Sequence, residues 1–233
     1  MRIAGLCAFS VIVHDSPMSN TPGNAANRDS LQRQLDRGIA ALGRELPADA
    51  VPRLLDYLAL LLRWNAAYNL TAVRDPAEMV ARHLLDSLGV LPFVRGHLLA
   101  DLGSGAGLPG VPLAIALPDN RLTLVDSNGK KARFLREVVR ALPLPNAEVV
   151  WVRAQELTGR FDCITARAFA SLGDMLQWAG HALAPSGTWL ALKGRIDPKE
   201  LAEIPAGFHI REIHRLQIPG VAAERHVVEI LRA

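Results

Sequence analysis

Apolar residues recur at helical spacing through the first third of the chain, and in short blocks thereafter. Leu31, Leu35, Ile39 and Leu42 predict a helix from Arg28 to Gly43. Leu54, Leu55, Leu58, Leu61 and Leu62 form one stripe of a second helix, with Asp49 placed to cap it and Pro52 tolerated in its first turn. A third helix opens at Asp75-Pro-Ala-Glu78, with Asp75 as N-cap, Pro76 at the first helical position and Glu78 completing a capping-box-like pair. It continues through Met79, His83, Leu84 and Leu88 towards Pro92. From there Leu98–Leu102, Arg121–Val125, Ala147–Val152, Phe161–Ala166 and Gly187–Lys193 read as strands bounded by turn residues. Helical segments at Leu108–Leu117, Lys130–Leu142 and Leu172–Leu183 separate them. Strand–helix alternation predicts a parallel sheet covered on both faces. Phe208–Leu216 and His226–Leu231, joined by Gln-Ile-Pro-Gly-Val, predict a terminal hairpin that closes one edge antiparallel. The expected division is a disordered tail or upstream extension over 1–27, N-terminal helices over 28–96 and an α/β core over 97–233.

Composition narrows this only a little. Half of the 233 residues are hydrophobic and 21% are charged, which supplies a core and argues against wholesale disorder. No apolar run approaches the roughly 18–20 residues of a membrane span, so a soluble protein without a membrane partner is expected. Cys7 and Cys163 offer neither a disulfide framework nor metal-ligand spacing, so no metal is expected and a reducing cytoplasmic compartment is the natural setting. Cys163, inside a strand, reads as a small core residue. The first 13 residues carry a short apolar stretch but no small-x-small cleavage site, and the polar segment Met18 to Asn27 looks disordered. Met18 is the expected start. A net charge of +3 permits an anionic partner without demanding one.

The segment Leu98-Leu-Ala-Asp-Leu-Gly-Ser-Gly-Ala-Gly-Leu-Pro-Gly110 carries most of the functional information. An apolar strand runs into a glycine-rich turn that opens a helix, the place where open α/β sheets bind ligands. Lys-Ser/Thr is missing after the glycines, which excludes a nucleoside-triphosphate loop. Gly103, Gly105 and Gly107 alternate, and Leu108 occupies the third position of a dinucleotide fingerprint. Asp101 before the turn would welcome a cationic ligand and repel a pyrophosphate. Acid-x-Gly-x-Gly-x-Gly after a first strand is the pattern of S-adenosylmethionine-dependent methyltransferases. Asp126, ending the second strand, can accept both hydroxyls of a ribose, or could instead cap the next helix.

Other segments then align with one family. Arg63-Trp-Asn-Ala-Ala-Tyr-Asn-Leu-Thr71, Arg82-His-Leu-Leu-Asp-Ser87, Leu108-Pro-Gly-Val-Pro-Leu113 and Asp126-Ser-Asn-Gly-Lys-Lys131 resemble the bacterial glucose-inhibited division protein B family. So do Arg167-Ala-Phe-Ala-Ser171, Leu192-Lys-Gly194 and Glu224-Arg-His226, in matching order over Leu31 to Leu231. The resemblance implies a class I methyltransferase fold: a Rossmann-like, mostly parallel seven-stranded sheet with an antiparallel terminal hairpin and an N-terminal helical extension. It implies methylation of N7 of one guanine in 16S ribosomal RNA, within the small ribosomal subunit, by a cytoplasmic monomer. Cofactor contacts are implied at Gly103, Leu108, Ala154, Gln155 and Arg167, beside Asp101, Gly105 and Asp126 from the loop pattern. Many members carry an acid at the position of Gln155. An amide would replace that charge near the adenine, with Glu156 as a partial substitute.

Guanine N7 bears a free in-plane lone pair, so no proton need be removed before transfer. Alignment and desolvation can supply on the order of 7–11 kcal/mol. No obligatory acid or base is expected, and Arg167 is assigned only a positioning role. An Asn/Asp-Pro-Pro-aromatic motif for exocyclic amines and a Pro-Cys nucleophile for pyrimidine C5 are both missing. Lys130, Lys131, Arg133, Arg136 and Arg140 could neutralise phosphates or form a solvated helix face. Lys193 and Arg225 are further candidates for RNA contact, and His226 is expected beside the site. Arg82 and His83 read equally as RNA-facing residues and as, respectively, a helix-surface and a core polar residue, and Trp64 as a core anchor in preference to a base-stacking platform. A methyltransferase of another RNA, a small molecule or a protein, an NAD(P)-dependent reductase and an idle RNA-binding scaffold stay open at this point.

Overall fold

In the computed structural model, which describes residues 22–168 and 170–233, the helical periodicities become α1 (Pro22–Ala41) and α2 (Ala50–Tyr68). They are followed by a rod made of α3 (Pro76–Met79), a wider π segment (Val80–Leu85) and α4 (Asp86–Leu88). The expectations about residues 1–17, the Met18 start and Cys7 lie outside the described residues. α1 begins at Pro22, inside the stretch expected to be disordered. A helix nucleated by the packed Leu35 and Ile39 extends into polar sequence at little cost, because propagation fixes fewer angles per hydrogen bond than nucleation. Asp75 caps α3 as expected, accepting from Ala77 N at 3.2 Å, but Glu78 pairs with Arg82 at 3.2 Å instead of closing the box. Asp49 sits at the N-cap of α2 without a side-chain cap bond; its carboxylate meets Arg53 one turn on, at 3.3 Å.

The strands are β1 (Leu98–Leu102), β2 (Arg121–Val125), β3 (Ala147–Val150), β4 (Phe161–Arg167), β5 (Leu183–Lys193), β6 (Phe208–Leu216) and β7 (Arg225–Arg232). Between them lie α5 (Gly110–Ala116), α6 (Gly129–Ala141), α7 (Leu172–Ala179) and α8 (Pro198–Ala202). The sheet has seven strands in the order β3-β2-β1-β4-β5-β7-β6. The first five are parallel, and β7 runs antiparallel between β5 and β6. The expected closing hairpin is there. Leu183, expected to end a helix, begins β5, because Pro185 cannot continue helical bonding and biases Ala184 towards extended backbone. α8 was not expected, although Asp197-Pro198 repeats the cap signal of Asp75-Pro76 and Asp197 accepts from Lys199 N at 2.9 Å.

Alternation along the strands builds two cores. Leu99, Leu122, Leu124, Cys163, Leu190 and Leu192 face one cluster that also contains Leu35, Leu54, Leu58 and Leu61 of the N-terminal helices. Ala100, Leu102, Val125, Ile164, Ala166 and Trp189 face the other, against α7. Trp64 packs on the first cluster, its ring 5.1 Å from that of Tyr68 and 5.6 Å from that of Phe134, so it anchors α2 on α6. Cys163 is fully buried, and burial pushes its thiol up to about 12, which leaves it an inert packing residue. No described helix is long and apolar enough to cross a membrane. Chain order reverses at β1, whose neighbours are β2 and β4. In such sheets this switch opens a crevice at the carboxyl ends of the strands.

Candidate cofactor and substrate cavities

Two cavities occupy that crevice and share one wall residue, Ala168. The first, about 620 Å³, lies within the roughly 300–1,000 Å³ usual for small-molecule sites. Its apolar wall is Val125, Val152, Ala154 and Trp178, and its polar rim includes Asp126, Asn128 and Gln155. The second, about 280 Å³, is lined by Leu192, Leu216 and the charged groups Asp86, Arg167, Lys193 and Arg225, with His226 beside them. Ala168 itself has φ of +48°, a left-handed conformation uncommon for a residue with a side chain.

The glycine loop is shaped from three sides. Gly103, Gly105 and Gly107 have φ of +64°, +59° and +89°, which a side chain would make costly. Gly105 N donates to Asp126 Oδ2 at 2.8 Å, and Ser104 N to Val125 O at 3.0 Å, which draws the loop over the end of β2. From α2, the buried Tyr57 hydroxyl donates to Ala106 O at 2.6 Å. Burial raises its pKa far above the ordinary phenol value. Asp126 Oδ1 accepts from Asn128 N at 2.8 Å, so both carboxylate oxygens are oriented by backbone amides while the group still lines the first cavity. The alternative role of capping α6 belongs to Asn128, which accepts from Lys130 N and Lys131 N.

Several expected contacts are redistributed. Asp101 faces inward on the same side of β1 as Leu99 and lines neither cavity. Its Oδ1 accepts from Thr165 at 2.9 Å and its Oδ2 from Gly110 N at 3.1 Å. Burial raises its pKa to about 6, against the lowering effect of those hydrogen bonds. A Cβ at Gly110 would lie 2.7 Å from Asp101 Oδ2, so glycine is what lets α5 start directly on this carboxylate. Leu108 is buried in the core and lines neither cavity, and Gly105 shapes the loop without lining the first cavity. Gly103, Asp126, Ala154 and Gln155 are brought together as expected. Glu156 is not with them: its carboxylate turns back to Arg153 N at 3.4 Å within the short 154–156 helical turn.

Arg167 lines the second cavity rather than the first. It and Arg225 grip Asp86 from both sides, Arg167 Nη1 to Oδ2 at 3.0 Å and Arg225 Nε to Oδ1 at 3.0 Å. The Asp86 side chain is 5% exposed, against 22% and 21% for the arginines. Arg225, expected to meet RNA, therefore commits its Nε to this acid. Lys193, also expected to meet RNA, is held by Glu200 and by Ala170 O. The partner of Arg225 lies 139 residues away in sequence, whereas that of Lys193 is only seven residues on. Lys131 lines the first cavity, while Lys130, Arg133 and Arg136 are exposed along the outer face of α6. Arg140 pairs with Glu137 at 3.0 Å. Arg82 is a surface residue, and His83 is buried with Nε2 2.9 Å from Thr71 Oγ1. Burial holds His83 down to about 4, so it is neutral near pH 7. Asp86, Asn128, Ala168 and Trp178 were not singled out from sequence. Asp86, Asn128 and Ala168 lie inside the quoted segments, but only the fold shows which side chains meet.

A family model described as "rRNA small subunit methyltransferase G" matches residues 50–228. A protein named ribosomal RNA small subunit methyltransferase G from Stenotrophomonas maltophilia (strain K279a) is 55% identical over 203 residues, covering 86% of this chain and 95% of the relative. One of the same name from Xanthomonas axonopodis pv. citri (strain 306) is 50% identical over 209 residues, covering 89% and 98%. Among solved structures, TrmN from Thermus thermophilus superposes with a TM-score of 0.52 at 20% identity, over 66% of this chain and 53% of that one. An MtNAS mutant in complex with S-adenosylmethionine gives 0.52 at 14% identity, over 92% of both chains. These two likenesses concern the fold.

Proposed function

The chain belongs to the rRNA small subunit methyltransferase G family, and on that premise we propose that it moves a methyl group from S-adenosylmethionine to N7 of one guanine in 16S ribosomal RNA. The observation that carries this reading is the pair of cavities that meet at Ala168 over the strand switch. One suits a nucleoside-bearing methyl donor, the other a flat base.

The residues of the first cavity fit the donor. Asp126 presents a carboxylate already oriented by two backbone amides, suited to ribose hydroxyls. Gly103 keeps the wall free of side chain, Ala154 and Val152 suit an adenine face, and Gln155 offers amide donors and acceptors at the rim. S-adenosylmethionine, when bound, supplies an electrophilic methyl group on a sulfonium. Asp101, Gly105 and Leu108 act one layer back, shaping the loop.

In the second cavity Leu192, Leu216 and Ala168 provide apolar surface for a base. The guanidinium groups of Arg167 and Arg225, fixed by Asp86, are donors of the kind that guanine O6 accepts. N7 is nucleophilic without deprotonation, so these residues orient the base, exclude water and leave proton transfer aside. Arg167 is a positioning residue in this scheme. The small ribosomal subunit, a monomeric state and a cytoplasmic location complete the proposal, as does phosphate contact by Lys130, Lys131 and Arg136; Lys193 and Arg225, held by Glu200 and Asp86, line the base cavity instead.

The test is methylation of small-subunit RNA from a strain lacking this protein, with labelled S-adenosylmethionine and mapping of the modified nucleoside. One N7-methylguanosine per 16S molecule is expected. Label on an exocyclic amine, on a ribose, or none at all would refute the assignment.

A further inference from the structure

We propose that Trp151, with Lys130, Arg133 and Arg136, forms a second RNA-binding site, one that stacks an unpaired base of the substrate outside the two cavities. Trp151 follows β3 and is 57% exposed, whereas Trp189 is fully buried and Trp64 packs on the core. Large exposed aromatics are informative where they line a groove of stated chemistry. Here the groove is about 580 Å³ and its walls are Asn128, Gly129, Lys130, Arg133, Arg136 and Trp151.

The indole is held in place. Its Nε1 donates to Ser127 O at 3.0 Å. A Cβ at Gly129 would lie 3.0 Å from Trp151 Cζ2, so the ring lies directly against the bare backbone at that glycine. An aromatic surface fixed on one face and open on the other loses little entropy when a base stacks on it. The three cations recur along the exposed face of α6, and among the described residues none of them makes an ion pair. Arg140, one turn further, differs by pairing with Glu137.

A ring plus three uncommitted cations matches the two chemistries of a single strand, a π face and a phosphate chain. A duplex would engage the cations but leave the ring unused, and an acidic peptide would bring no planar base. The site adjoins the first cavity, since Asn128 lines both. The inference rests on the RNA reading above for its substrate, but its test does not need methyl transfer.

The full chain is compared with Trp151→Ala, Trp151→Phe and the triple variant Lys130→Gln/Arg133→Gln/Arg136→Gln. Short single-stranded and duplex RNAs are titrated, and methylation kinetics are run on unmethylated small-subunit RNA. Trp151→Ala should weaken single-strand binding and raise KM for RNA roughly five- to hundredfold, the range of one lost stack, while Trp151→Phe retains most of the affinity. Affinity for S-adenosylmethionine should stay within about twofold of the unmodified protein, the margin that separates lost stacking from lost folding. The triple variant should lower the slope of log affinity against log salt by about 2, at roughly 0.7 per single-strand phosphate. Unchanged single-strand affinity in Trp151→Ala would overturn the proposal. So would duplex binding as tight as single-strand binding, equal loss in the Phe and Ala variants, or binding to assembled subunits without binding to RNA alone. Oligonucleotide binding that depends on Trp151, in a protein that methylates no guanine N7, would support this site and refute the activity instead.

Discussion

Asp86→Ala tests the most concentrated electrostatic feature of the chain. The carboxylate is nearly buried and accepts one hydrogen bond at 3.0 Å on each oxygen, from arginines that enter on β4 and β7. Removing it leaves two guanidinium groups facing each other across a small void. Breaking a buried ion pair by deleting one partner costs about 3–5 kcal/mol. The arginine side chains are about a fifth exposed and can recover some hydration, which places the expected loss near the lower end, about 3 kcal/mol. With a urea m-value of about 3 kcal/mol/M for a chain of this size, the midpoint should fall by about 1 M. Arg225→Ala alone should cost less, because Arg167 still neutralises Asp86. In Asp86→Ala/Arg225→Ala the loss should fall short of the sum of the singles, since both remove the same contact. Equilibrium urea unfolding, followed by far-ultraviolet circular dichroism at neutral pH, measures all three. A midpoint shift for Asp86→Ala below about 0.3 M, equivalent to about 1 kcal/mol, would reduce the cluster to the level of a surface pair and refute the reasoning.

Three further outcomes are expected. Asp126→Ala should weaken S-adenosylmethionine binding by at least tenfold, about 1.4 kcal/mol, because it removes a proposed ribose acceptor and frees Gly105 N; calorimetry reporting unchanged affinity would take Asp126 out of the site. Tyr57→Phe should cost about 1–3 kcal/mol by leaving Ala106 O buried without its donor, and should speed backbone amide exchange in the glycine loop; unaltered exchange there would show that the hydroxyl does not restrain it. The pH dependence carries two opposed slopes. His83, held down to about 4, gives stability that is complete above its unfolded value of 6.5 and is lost as pH falls towards 4. Asp101, raised from 3.8 to about 6, binds its proton more tightly folded than unfolded, so its contribution falls as pH rises from about 4 to 6. Asp101→Asn should therefore make stability fall more steeply on acidification between pH 6 and 4, and melting curves with slopes equal to those of the unmodified protein would contradict this.

The features legible in sequence were those with a short physical range. Hydrophobic spacing identified α2, the core-facing part of α1 and the strands β1 to β7, since burial periodicity is written in neighbouring positions, whereas the polar first turns of α1, six residues ahead of the expected start, carry no such signal. The turn at Gly103, Gly105 and Gly107, with φ positive at all three, was legible as a glycine-rich loop, and Asp126 lies at the first cavity because the end of a parallel strand faces the crevice. Asn128 was the local signal passed over: an Asx residue two positions before Lys130 caps α6 and frees Asp126 for the cavity.

The remaining features needed the tertiary structure. Asp86 meets Arg167 and Arg225 across separations of 81 and 139 residues, and Lys193 meets Glu200 only because α8 folds back beside β5. The inward face of β1, shared with Leu99, puts Asp101 under the start of α5, where it accepts from Gly110 N and lines neither cavity. From its sequence this chain is an α/β protein with a ligand loop after its first strand and a family resemblance that implies the reaction. Which charges stay free to meet RNA is decided by packing, because an ion pair depends on distances of a few ångströms that local spacing does not encode. Folding commits Arg167, Lys193 and Arg225 to acids and leaves Lys130, Arg133 and Arg136 uncommitted beside the exposed ring of Trp151.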